Sequence, residues 1–96
     1  MSYLNGNGIE PRRSTNVTVR ALPLAQARAG ESVRIVALRG GGREMDELAV
    51  AGLAPGRLCI VLGQLPGGAT LIGFDERRLA IGGTAAAEIW VRLVAS

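Results

Sequence analysis

The stretch REMDELAVAGLAPGRLCIVLGQL, residues 43–65, contains the change of period that decides the fold. From Arg43 to Ala51 the apolar residues Met45, Leu48 and Ala49 fall at i, i+3 and i+4, the spacing of a helix with one apolar stripe. Glu44, Asp46 and Glu47 crowd its first half, where the positive end of the helix dipole favours them. Gly52 is placed to end the helix as a left-handed cap, and Leu53 can then fold back on the stripe. Ala54-Pro55-Gly56 reads as a type II turn, with Pro and Gly at its central positions. Past that turn the period drops to two. RLCIVLGQL (57–65) is a strand with Cys59 in parity with Arg57 and Val61 and opposite Leu58, Ile60 and Leu62.

The same reading extends outward on both sides. LPLAQARA (22–29) predicts a short helix stopped by Gly30, and ESVRIVALR (31–39) a strand with Val33, Ile35 and Ala37 on one face. Gly40, Gly41 and Gly42 break that strand. A phosphate-cradling loop at this place needs Lys and then Ser or Thr at the helix start, and Arg43-Glu44 stands there instead. On the other side, Pro66-Gly67-Gly68 turns the chain into ATLIGF (69–74), Asp75 and Glu76 form a second turn, and RRLAI (77–81) returns. Gly82-Gly83-Thr84 offers an N-cap to one helical turn, AAAEI, before a last strand, WVRLV (90–94). Five short strands with little helix predict an all-β small barrel with one short inserted α-helix and minor helical turns, because closure removes exposed edges.

The domain so defined occupies residues 20–96. Residues 1–19, rich in Asn, Gly, Ser and Thr, are expected to be a disordered N-terminal tail, since they cannot bury enough apolar surface to offset ordering entropy. A core this small gains from partner binding or from self-association into a homo-oligomer.

Composition excludes most chemistries. The chain has no His and no Lys, its 11 basic residues are all Arg, and its net charge is +3. Without His it lacks the commonest general base and transition-metal ligand. With Cys59 as its lone cysteine it can build neither a disulfide framework nor a Cys-rich metal cage. One Trp, one Tyr and one Phe do not make a stacking platform, and +3 is a thin charge for binding nucleic acid. No apolar run approaches a membrane span, and the N-terminus has no apolar signal core. The expectation is a cytoplasmic, non-enzymatic protein with no cofactor and no catalytic or metal residues. Glu44, Asp46 and Glu47 would hold a divalent cation only weakly through exposed oxygens.

What remains is contact with a partner. Val50 lies opposite Met45 on the helix, and the tip at Leu53 and Ala54 has no evident core role. With Glu47, Gly52 and the lone Trp90, either core or interface anchor, they form the expected partner-binding set.

The ordered set of features carries a family resemblance. Leu22-Pro23-Leu24 and Ala29-Gly30-Glu31-Ser32-Val33-Arg34-Ile35-Val36 resemble the opening of the FeoA family, ferrous iron transport protein A. The helix followed by Ala51-Gly52-Leu53-Ala54-Pro55-Gly56 is similar to that family's characteristic stretch. The Gly67-Gly68 turn, Arg78-Leu79-Ala80-Ile81 and Ile89-Trp90-Val91 fit its second half, so that the match spans roughly residues 21–95. The helix is more acidic than is usual in the family. The resemblance implies an SH3-like five-stranded barrel that docks in the cytosol on the membrane ferrous iron transporter FeoB, at its GTPase domain or its permease. The same barrel is also found as a module of iron-dependent repressors, and a stand-alone module of that type, or a nucleic-acid-associated barrel, is the alternative.

Overall fold

The computed structural model of the chain describes residues 20–94, so the tail expected at 1–19 lies outside the described residues. Six strands form: β1 (Leu22–Pro23), β2 (Ser32–Leu38), β3 (Leu58–Gln64), β4 (Thr70–Phe74), β5 (Arg77–Ile81) and β6 (Ile89–Leu93). They make one antiparallel sheet in the order β1-β6-β2-β3-β4-β5. Helix α1 (Arg43–Val50) is inserted between β2 and β3, and α2 (Gly83–Glu88) leads into β6. The all-β, SH3-like expectation with one inserted helix holds, and the sixth strand is the two-residue β1.

That strand replaces the helix expected at 22–29. Pro23 is extended (φ −65°, ψ 142°), and Leu22 and Pro23 pair with Val91 and Trp90. Proline is tolerated here because β1 is an edge strand, where its missing N–H costs no ladder bond. Only Leu24–Gln26 coil, as a single 3-10 turn. At the other helical turn, α2 begins at Gly83 with Gly82 as N-cap and no side-chain cap, so Thr84 does not cap it. The Gly82 N–H donates instead to Glu44 Oε2 at 2.9 Å and ties the start of α2 to α1.

Closure is achieved by packing more than by pairing. β1 and β5 are the two ends of the ladder and do not pair with each other among the described residues. The curled sheet is sealed by Leu24 and Ala27, by Met45, Leu48 and Leu53, and by Ala85 and Ala86, all in the same core as Val33, Val61, Ile72 and Val91. Ala49, expected on the apolar stripe, is exposed. Two bulges adjust the side-chain parity. One lies between Ile35 and Ala37 of β2, so Ala37 faces Trp90 on the outside while Leu38 packs against the core. The other lies between Val61 and Gly63 of β3.

The end of α1 is closed as its sequence predicts. Gly52 has φ +109°, its N–H bonds to Ala49 O, and the Leu53 N–H bonds to Leu48 O, both at 3.0 Å. This is the Schellman pattern, and it drives Leu53 inward until it is 1% exposed. Leu53 is therefore core, which corrects its placement among the partner contacts. The Ala54-Pro55-Gly56 turn follows with Gly56 at φ +94° and Arg57 N–H bonded to Ala54 O at 3.1 Å.

Gly52 also lies against a ring: a Cβ there would sit 3.3 Å from Phe74 Cζ, whereas one at Gly30 (φ +92°) would meet nothing within 4 Å. Alanine at either position carries about 1–2 kcal/mol for the left-handed backbone, and Gly52→Ala is expected to lose ~1 kcal/mol more for displacing Phe74. Urea unfolding of the two variants measures the difference. Equal losses would mean that Phe74 does not hold the cap.

Candidate partner-binding face

Strand β3 carries aliphatic residues in both parities. Cys59 and Val61 point into the core, so Leu58, Ile60 and Leu62 must point out, and they are 53%, 40% and 37% exposed. The outer face beside them is shallow. Ile60 pairs with Gly73 of β4, and a Cβ on Gly73 would lie 2.9 Å from Ile60 Cγ2. Glycine lets Ile60 and Leu62 lean across the strand. The result is a groove of about 630 Å3 whose lining includes Ser32, Leu58, Ile60, Leu62, Gly73, Arg78 and Val94. Its central row can be followed across the sheet by register: Val94 N–H bonds to Ser32 O, Ser32 pairs with Ile60, Ile60 with Gly73, and Gly73 with Arg78.

The rim carries both charges: Asp75, Glu76, Arg77 and Arg78 line the groove at the β4–β5 turn, with Asp75 paired to Arg57. Arg78 ends the row on β5. In a neighbouring row Arg34 pairs with Leu58 and also stands directly opposite Arg92 of β6. Arg34 is oriented by donating to Gly56 O at 3.0 Å. Like charges directly opposite in a sheet are unfavourable, so this pair gains from an external carboxylate.

The turn beside the groove is held by a second arginine cluster. Arg57 stacks on Phe74, 4.6 Å from the ring centroid, while donating to Gly52 O at 3.2 Å and to Asp75 Oδ2 at 2.6 Å. Arg77 lies 5.7 Å from the same centroid and donates to Ala51 O at 2.7 Å. Two guanidinium groups thus satisfy the carbonyls at the C-terminal end of α1, where the dipole favours cations. In the Asp75-Glu76-Arg77-Arg78 turn, Asp75 is thus paired with Arg57 and Arg77 reaches the end of α1, both across long sequence separations.

The partner set read from sequence is split by the fold. Val50 (89% exposed), Glu47 and Ala54 lie on the surface of the helix–turn unit, Gly52 is partly covered by Phe74 and Arg57, and Leu53 is buried. Trp90 is half-buried on the outer face of β6, with Arg39 at 5.4 Å from its ring centroid. It shares no strand with the helix–turn unit. Sequence reasoning missed Leu58, Ile60 and Leu62 as a surface. A strand that is aliphatic in both parities exposes one row only where a single layer covers it, and the sequence alone does not carry that fact.

Glu44, of the weak cation set, accepts the Gly82 N–H. Among the described residues no group of three or more His, Cys, Asp or Glu side chains could hold a metal ion. Nor is any described helix long and apolar enough to cross a membrane.

This geometry defines a small SH3-like β-fold that presents an apolar face with charged margins. A family model, the FeoA domain, matches residues 22–93, and the chain belongs to that family. Among solved structures it is similar to an iron uptake regulatory protein (FeoA), at 28% identity and TM-score 0.68, covering 79% of this chain and all of that one. It also resembles iron(II) transport protein A from Clostridium thermocellum, at 23% identity and TM-score 0.68, covering 76% of this chain and 46% of that one. A manganese-dependent transcriptional repressor shares the fold at 21% identity and TM-score 0.70, with only 42% of its length covered. No curated protein matches the chain.

Burial pushes the Cys59 thiol up from its ordinary 9.0 to about 11, with the Arg57 guanidinium pulling partly back. The folded state therefore holds the proton more tightly than the unfolded chain. The stabilisation from the buried neutral thiol is fully present below pH 9 and is lost as pH rises from about 9 to about 11. Urea midpoints are expected to fall across that window, and Cys59→Ala to fall less. Equal slopes for the two proteins would place the thiol in water.

Proposed function

We propose that this chain is a non-enzymatic accessory module of ferrous iron uptake. In this reading it works at the cytosolic side of the membrane ferrous iron transporter FeoB and binds it through the outer face of β3, β4 and β5. Membership of the FeoA domain family supports the iron-uptake context. The observation that carries the docking face is the row Leu58, Ile60 and Leu62, exposed beside Gly73 and flanked by Arg34 and Arg78.

An apolar centre with a charged rim suits a protein partner: the aliphatic row supplies desolvation energy, and the arginines supply orientation. The chain would alter transport only by binding one transporter conformation better than another. The chain has no His and no Lys, and its lone Cys59 is buried, so in this reading any change in GTP turnover acts through the transporter's own machinery. The repressor-module reading rests on a shared fold alone, at 21% identity or less for repressors of manganese or iron type.

The test is an amide NMR titration of the labelled chain with the transporter's cytosolic GTPase domain, with and without GTP. Saturating shifts at Leu58, Ile60, Leu62, Gly73 and Arg78 are expected. Leu58→Glu, at an exposed position, is expected to weaken binding by about tenfold or more while leaving the remaining spectrum unchanged. Shifts confined to Glu47, Val50, Gly52 and Ala54 would move the docking site to the helix–turn unit. No shift at ~1 mM partner, an affinity weaker than about −4 kcal/mol, would remove the GTPase domain as a direct target.

A further inference from the structure

We propose that the acidic face of α1 on one copy of this chain docks on the outer face of β3 of a second copy, over Leu58 and beside the Arg34–Arg92 pair, so that the protein self-associates. Two exposed surfaces of the fold are complementary. On α1, Asp46 and Glu47 precede Val50 by one helical turn and share its exposed side, since residues three and four apart are neighbours on a helix surface. Among the described residues Val50 is the most exposed of the large hydrophobic ones, at 89%. Neither carboxylate forms an ion pair among the described residues.

The outer face of β3 offers a partner for it on the side away from the acidic Asp75-Glu76 turn. Leu58 and Ile60 form an open aliphatic floor, Arg34 pairs with Leu58 and faces Arg92, and Arg78 stands at the β5 end, none of the three arginines in an ion pair among the described residues. Seating Val50 over Leu58 and Ile60 removes apolar surface from water on both copies. It also brings Asp46 and Glu47 to arginines that otherwise repel each other. The whole chain carries +3, which opposes association, so any attraction must come from this local match. The helix is short and its docking surface correspondingly small, and the contact is weak and concentration-dependent.

The proposal does not rest on the transporter reading, because its test contains this chain alone. Sedimentation equilibrium of the full chain from ~20 µM to ~1 mM, a range suited to a weak interface, is expected to show an average mass rising above 10.0 kDa. The double variants D46R/E47R and R78E/R92E are each expected to lower the association constant by about tenfold. All four positions are exposed, and R92E puts opposite charges face to face with Arg34, so the fold is retained.

Mixing the two variants restores complementary charges at both contacts and is expected to restore association. Adding Leu58→Ser to the R78E/R92E copy changes no charge and is expected to weaken that rescue. A monomer at every concentration, association unaffected by the charge variants, or a rescue indifferent to Leu58→Ser would each overturn the proposal. The last outcome would identify the rescue as net-charge attraction.

Discussion

Leu53 reaches the interior only because Gly52 turns the chain left-handed one residue earlier, and the packing of α1 depends on that turn. An eight-residue helix is too short to hold itself in water. It stays on the sheet through Met45, Leu48 and Leu53, with its last carbonyls met by Arg57 and Arg77, which stack on Phe74. Phe74 closes the circle by lying where a Cβ on residue 52 would go. The cap, the two arginines and the ring therefore hold one another. They also fix the β4–β5 hairpin whose turn borders the groove.

The parts of this fold that were legible in the sequence are those encoded by neighbours in the chain. The α1 cap needs only Gly52 and Leu53 at the right offsets, and the type II turn needs only Pro55 and Gly56. That Cys59 and Val61 share a side followed from their parity. Features that depend on a distant strand were not legible. Nothing near Val36 announces that β2 bulges there, because the bulge is defined against Trp90 and Val91 of β6. The extended state of Leu22 and Pro23 likewise exists because β6 offers an edge.

The candidate site was half legible for a related reason. Val50 could be assigned to the surface from helical spacing, and Ala54 from its place in the turn after Gly52. The aliphatic outer row of β3 could not be told from a second buried face without knowing that no further layer covers it. Gly73 reads in the sequence as a weak point in a strand, and in the fold it is where Ile60 leans. Trp90, the most conspicuous residue in the sequence, is half-covered on the outside of β6 with Arg39 over it. The working face of the molecule is made of ordinary residues whose neighbours are unusual.

The bulge at Val61–Gly63 has a consequence for how the chain tolerates change in length. It resets the alternation, so that Gln64 falls on the same side as buried Thr70, accepts its hydroxyl proton at 2.8 Å, and donates to Ala27 O at 3.0 Å. Remove that one residue and the ladder becomes regular with its pairs unchanged: Gln64 still stands opposite Thr70, on the same side, and both of its hydrogen bonds can be kept. A deletion within the regular pairs on either side of the bulge instead turns side chains to the opposite face. Residue 62 is thus the place where β3 can shorten without re-addressing its side chains.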